Sequence, residues 1–338
     1  MILNPLFYIK KVLGHKAIVL MYHRIADSPA DVWDIAVSPK NLEAHLRILK
    51  ESGRVIPLQK LVKEVKNKWI RSDKVAITFD DGYADNFAVA KSLLEKYNLP
   101  ATFFITSINI GMPHEFWWDE LEKIILYTET LPQEIELAIA DQVISCKLND
   151  ETTLNDDIVT KHIAWKAYES PPATARCKLF LTIWESLQPL NHDRQQDYLT
   201  IIRQWAGCHI SARQEYQCMS VDQLKQLSQN KLFSIQAHTA THAALSYHDK
   251  NFQSKEIDDN KQFLEKNLDK KVEIIAYPYG SYNSDTPGIA ADCGFKAAFT
   301  TDEENVTNNT GKYRIGRFQV RNQDAVTFEK NLSRWISM

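Results

Sequence analysis

Val75-Ala76-Ile77-Thr78-Phe79-Asp80-Asp81-Gly82 is an apolar run of strand length that ends in two adjacent carboxylates and a glycine. Uninterrupted apolar runs of this length suit strands buried on both faces of a parallel sheet. Ala17–Tyr22, which ends at His23-Arg24, and Ala101–Thr106 read the same way. A helix is expected over residues 86–97, and strand, helix, strand at this spacing gives βαβ units. Ser38-Pro39 opens a helical pattern at Leu42, Leu46 and Leu49, with Ser38 as N-cap and Gly53 as stop. Further on, Ser220–Ser228 is expected to be helical behind a Ser220 cap. Phe233–Ala237 follows as a strand, Glu256–Leu268 as a helix, and Val272–Tyr277 as a strand ending at Pro278-Tyr279-Gly280. Ala298–Thr300 and Ile315–Val320 supply the last short strands.

The rhythm changes over residues 111–218. Phe116–Tyr127 reads as a helix, Ile135–Leu148 as two short strands, and residues 178–205 as two helices. This stretch carries no compelling catalytic motif. The expected organisation is therefore one discontinuous domain, residues 1–110 and 219–338, interrupted by a mixed α/β insertion over 111–218.

The 338 residues fit one α/β barrel with an insertion. A hydrophobic fraction of 44% and a charged fraction of 25% suit a globular protein with a large core. The net charge of −3 argues against a nucleic-acid partner, which selects a basic surplus. Cys146, Cys177, Cys208, Cys218 and Cys293 are odd in number and dispersed, as reduced thiols of a cytoplasmic protein are. The N-terminus, Met1–Lys10, is apolar and then basic, the reverse of a signal peptide. It either packs on the body of the domain or, with Lys10, Lys11 and Lys16, makes peripheral contact with a membrane. No run reaches the roughly 18 apolar residues that span a bilayer.

Chemistry concentrates at two places. Asp80 and Asp81 end a strand, and alternation along a strand lets neighbours take different tasks, one holding a metal and the other a proton. Alone, Asp-Asp-Gly reads equally as a turn that caps a helix. His238-Thr239-Ala240-Thr241-His242 places two histidines four apart, and on a helical turn both imidazoles face one side. The pair also follows a buried strand, and two histidines with one aspartate and an open position match a catalytic zinc site.

These two elements together resemble the first two motifs of the polysaccharide deacetylase family, carbohydrate esterase family 4, also called NodB-like. The resemblance covers both barrel segments and implies a distorted (β/α)7 barrel with a mixed α/β insertion. It implies Asp80 as general base, with Asp81, His238 and His242 as ligands of a divalent metal, best matched by Zn2+. The third family motif is partly kept. Pro278-Tyr279-Gly280 implies a Tyr279 backbone N–H in the oxyanion hole, with Pro278 beside the substrate. The family's arginine two residues before that turn is replaced by Ala276. Arg317 is a candidate to brace the base instead, or else an ordinary surface charge.

The family's late Leu-x-Leu-His, source of the general acid, is also missing, since no histidine follows His248. Val19-Leu20-Met21-Tyr22-His23 has that character at the front of the chain. It resembles the permuted branch that includes poly-N-acetylglucosamine deacetylases, which implies His23 as the acid. Trp117 and Trp118 are candidate sugar-stacking platforms or helix-face core residues. The implied reaction is hydrolysis of an N-acetyl group from an amino sugar, in a polysaccharide or a lipid-linked saccharide, with release of acetate. Two alternatives keep the fold: an amidohydrolase of small non-polymeric amides, and a saccharide-binding protein with a degenerate site.

Overall fold

All six residues of β1 (Ala17–Tyr22) are buried in a computed structural model that describes residues 14–209 and 212–338. In chain order follow β2 (Lys74–Phe79), β3 (Ala101–Ile105), β4 (Glu134–Ile139) and β5 (Gln142–Lys147). Then come β6 (Phe233–Ala237), β7 (Ile274–Ala276), β8 (Ala297–Phe299) and β9 (Phe318–Gln319). Seven of these form one parallel sheet, ordered β8-β7-β6-β3-β2-β1-β9. Ile315, just ahead of β9, exchanges hydrogen bonds with β8: its N–H reaches Ala298 O at 3.0 Å and its carbonyl accepts from Thr300 N at 2.9 Å. The two edges are drawn together, and the sheet curls into a distorted (β/α)7 barrel. Val19, Ala76, Phe104, Ala276, Phe299 and Ile315 fill its core.

The chain divides into two compact units. One comprises the residues up to Asp27, Ile35–Ile110 and Met219–Met338, and the other joins Ser28–Asp34 to Gly111–Cys218. In the first, the Pro39–Ser52 helix begins where Ser38 Oγ accepts from Asn41 N and ends at Gly53, whose φ of 62° is left-handed. Ser220 and Gln223 form a capping box at the head of the Val221–Gln229 helix. The segment after Asp85 opens with a π turn, Asn86–Ala90, before the Lys91–Tyr97 helix. The expected late helix starts six residues early, at Lys250, because Asp249 caps it. β7 and β9 are shorter than their apolar runs. Three further helices of this unit, Leu58–Lys66, Thr286–Asp292 and Ala325–Ser337, were not expected. The first two have no side-chain cap.

In the second unit β4 and β5 pair as an antiparallel hairpin. It is accompanied by the helices Trp117–Tyr127, Asp156–Ala164, Ala175–Leu187 and His192–Ala206. Arg176 is fully buried and donates to the carbonyls of Ile125, Thr128, Glu151 and Thr152, which ties the turns of this unit together. All five cysteines are free. Among the described residues no helix is long and apolar enough to cross a membrane. The N-terminal stretch Met1–Lys10, expected either to pack on the domain or to touch a membrane, lies outside the described residues.

His45 locks the outer layer of the barrel onto β1. Its Nδ1 accepts from the Tyr22 hydroxyl at 3.3 Å, its Nε2–H donates to Gln323 O at 2.7 Å, and its ring stacks on Phe328 at 4.0 Å. The neutral ring makes both bonds, and burial favours it, lowering its pKa from an ordinary 6.5 to about 4. The unfolded chain takes up a proton first as the pH falls, so this stability is present above pH 6.5 and is lost towards pH 4. Between neutral pH and about pH 5 the wild type should lose about 1–2 kcal/mol more stability than His45→Gln in urea unfolding. Equal losses in the two proteins would contradict this role.

Candidate active site

β2 delivers Asp80 and Asp81 at its C-terminal end, and β6 delivers His238 at the same end, where parallel barrels collect their chemistry. The Asp80 N–H continues the ladder to Tyr22 O at 2.9 Å, and Gly82 N then turns back to Asp80 O at 2.9 Å. Asp81 between them has a left-handed φ of 73°. Among the described residues, four of the ten non-glycine residues with positive φ belong to this region: Asp81, Thr239, His242 and Tyr279. That conformation is disfavoured for side chains larger than glycine, and its concentration here is typical of a functional site.

Asp80 is held by Arg317. Both are buried, and the guanidinium donates to Oδ1 and Oδ2, each at 2.7 Å. Arg317 Nε donates to Thr300 O at 3.0 Å and Nη1 lies 3.4 Å from Thr78 Oγ1. Burial alone would push the Asp80 carboxyl up, but Arg317 and then His238 hold it below its ordinary value.

Asp81 lies between the two histidines. Its Oδ1 is 3.4 Å from His238 Nε2 and 3.2 Å from His242 Nε2, and one ligand atom from each of the three lies within 4.8 Å of the others. His238 Nδ1 donates to Ala276 O at 2.9 Å, so the neutral ring turns the lone pair of Nε2 toward Asp81. A lone pair facing a buried carboxylate oxygen is repulsive until a proton or a cation sits between them. Burial lowers His242 below its ordinary range, against the pull of Asp81, and favours the neutral ring. The donor set fits a divalent cation.

The two histidines are not on a helical turn, as their spacing suggested. Residues 238–242 form an irregular loop in which Thr239 and His242 both have φ of 60°. The Lys250–Leu268 helix builds that loop. Asn260 accepts from His238 N at 3.1 Å and donates to Ile105 O at 2.9 Å. Glu256, one turn earlier, takes the Thr241 N–H and hydroxyl, each at 2.8 Å, while its carbonyl takes Ala240 N. Sequence reasoning missed both residues. Their signal was Gln253, Glu256 and Asn260 at helical spacing, a buried polar face where an apolar one is usual.

His23 ends β1 half-buried, within electrostatic reach of Asp80, Asp81 and His242. Its Nδ1 has no hydrogen-bond partner. Its backbone is held from the turn after Gly82: Asn86 Nδ2 donates to His23 O at 2.7 Å, and Asp85 accepts from Ile25 N at 3.0 Å. Pro278 is buried in a single 3-10 turn, and the Tyr279 ring meets His242 edge-on at 4.5 Å. A Cβ on Gly280 would lie 2.9 Å from Thr301 N, so the turn requires glycine there.

Trp117 and Trp118 offer no open stacking face. They are 3% and 5% exposed, Trp118 stacks on Phe116 at 4.3 Å, and Trp117 packs against Trp184. Their place is the aromatic core of the second unit, because both sit on the buried side of the Trp117–Tyr127 helix.

Replacing Asn260 with alanine takes one of two partners from each of Ile105 O and His238 N, which keep only their mutual bond of 3.2 Å. Asn260→Ala should lower the unfolding free energy by about 1–3 kcal/mol and weaken the binding of a divalent cation by about 10–100-fold in a calorimetric titration with zinc as the probe. Unchanged zinc affinity would show that the loop holds its shape without this contact.

The polysaccharide deacetylase family model matches residues 70–131 and 192–298, half of the chain. YxkH, a putative polysaccharide deacetylase of Bacillus subtilis, is 21% identical over 315 residues, spanning 93% of this chain and 74% of its own length. The poly-beta-1,6-N-acetyl-D-glucosamine N-deacetylase of Staphylococcus aureus is 30% identical over 125 residues, which cover 35% of this chain and 42% of that protein. The solved structure of the Streptococcus pyogenes deacetylase PplD, in complex with acetate, shares the fold with a TM-score of 0.57 at 20% identity, over 96% of this chain and 99% of that one. By the family model matched across half its length, the chain belongs to the polysaccharide deacetylase family.

Proposed function

We propose that the protein hydrolyses the N-acetyl group of an amino sugar in a polysaccharide or lipid-linked saccharide, releasing acetate and a free amine. The observation that carries this reading is the meeting of two differently held carboxylates. Asp81 faces His238 and His242, while Asp80 is set apart by Arg317. Asp81, His238 and His242 hold a divalent cation, and zinc suits two imidazoles, one carboxylate and an open position. When bound, such a cation polarises the amide carbonyl and acidifies water.

The chain's own groups divide the remaining work. Asp80 accepts the proton of the attacking water as its oxygen joins the acetamide carbon. Arg317 fixes the orientation of that carboxylate and keeps it ionised. The Tyr279 backbone N–H faces the developing oxyanion, and Pro278 shapes the turn that presents it. His23 gives a proton to the amine nitrogen as the C–N bond breaks, and acetate departs. The S. aureus relative, named for removing acetyl groups from poly-N-acetylglucosamine, supports a polymeric N-acetylhexosamine as substrate. The five free thiols support a reducing compartment.

Acetate release from N-acetylglucosamine oligomers, measured beside bound zinc, tests the reading. Asp80→Asn should keep zinc and lose turnover by about 100-fold or more. His238→Ala should lose zinc and turnover together. Acetate release by zinc-free His238→Ala at the wild-type rate contradicts the proposal. Zinc near one per chain with no acetate from any saccharide points to a binding protein, and acetate from small amides alone points to a different substrate class.

A further inference from the structure

The Leu58–Lys66 helix buries Leu58, Leu61, Val62 and Val65 and turns its other face outward. That face and the turn behind it expose Lys60, Lys63, Lys66, Lys68 and Arg71. Residues 60–74 hold six lysines and arginines against two acids, in a chain whose net charge is −3. Both acids are engaged, Glu64 with Lys74 and Asp73 with His15 at 3.3 Å. Among the described residues, none of the five exposed cations forms an ion pair. Some exposed lysines elsewhere have acids beside them, as in Lys96–Glu43, Lys161–Asp157, Lys255–Asp259 and Lys296–Glu273, whereas here five cations follow one another with no such partner among the described residues. Leaving five cations without counter-charges along one stretch costs repulsion, which an anionic partner relieves.

Trp69 stands in the middle of this turn, 49% exposed. It does not hang loosely: its N–H donates to Glu64 O at 2.9 Å, and the next residue, Ile70, is fully buried with its N–H on Asn308 Oδ1 at 2.7 Å. The turn therefore presents a tryptophan outward on a rigid base. The Arg71 guanidinium lies 3.5 Å above the ring centroid, covering one ring face. A covered face is poor for sugar stacking. An amphipathic ring among cations is suited to the headgroup region of a bilayer, where tryptophan anchors and basic residues meet anionic lipid.

We propose that residues 60–71 form a docking surface for an anionic lipid bilayer, with Trp69 entering the headgroup layer and the lysines and Arg71 meeting lipid phosphates. This does not depend on the deacetylase reading. The surface adjoins the start of β2, whereas Asp80 and Asp81 follow its end, a strand of six residues or about 20 Å away. A protein docked this way turns its catalytic end from the bilayer. Taken with the deacetylase reading, this favours a polymer reaching away from the membrane over an amide at the lipid surface.

Co-sedimentation of the full chain with vesicles tests the surface, comparing phosphatidylcholine alone with phosphatidylcholine containing about 30% phosphatidylglycerol. The chain should partition onto the anionic vesicles only, and high salt should release it. Lys66→Gln/Lys68→Gln/Arg71→Gln should weaken partitioning by about a hundredfold, at about fivefold per cation. Trp69→Ala should weaken it severalfold and leave the salt dependence unchanged. Thermal unfolding of each variant at the wild-type temperature shows that the fold is kept. Equal partitioning by the triple variant, no preference for anionic vesicles, or binding to polygalacturonate with none to vesicles would each overturn the proposal.

Discussion

A bidentate ion pair with both partners buried, Arg317 on Asp80, is the constraint on which the rest of this structure depends. Its members lie far apart in sequence, at the end of β2 and at the approach to β9. Because Arg317 also holds Thr300 O, it ties β2 to the segment leaving β8, at the place where the sheet edges come together. Barrel curvature and carboxylate orientation therefore share one guanidinium. Removing either partner of such a pair strands a buried charge, at a cost of about 3–5 kcal/mol.

The histidine loop is built on the same plan, with polar groups from a distant element holding an unfavourable backbone. Asn260 and Glu256 take the N–H groups of His238 and Thr241, and Glu256 O takes that of Ala240. Those bonds let Thr239 and His242 keep left-handed conformations that put both imidazoles on Asp81. Ala276 contributes through its carbonyl alone, by selecting the tautomer of His238. A backbone oxygen does that work with any side chain at position 276, while Arg317, just ahead of β9, reaches Asp80.

Much of this was legible in the residues. The buried runs at Ala17–Tyr22 and Val75–Phe79 became β1 and β2, since strands covered on both faces leave continuous apolar sequence. Ser38, Gly53 and Ser220 marked helix ends through local capping chemistry. Readings failed where distant contacts decide. The spacing of His238 and His242 suggests a helical turn, but a helix that begins eight residues later sets their backbone. The π turn at Asn86–Ala90 places Asn86 under His23 O, a tertiary bond with no periodic signature. Trp117 and Trp118 look alike as platform or core until Phe116 and Trp184 are seen against them.

The central proposal is that Arg317 orients Asp80 as the base, beside a metal site formed by Asp81, His238 and His242. The most direct measurement is acetate release from N-acetylglucosamine oligomers by Arg317→Met, beside its zinc affinity. The account predicts zinc bound as in the wild type, through Asp81, His238 and His242, with turnover down by about 100-fold or more. Wild-type turnover by Arg317→Met would show that Asp80 needs no such partner, and would contradict it.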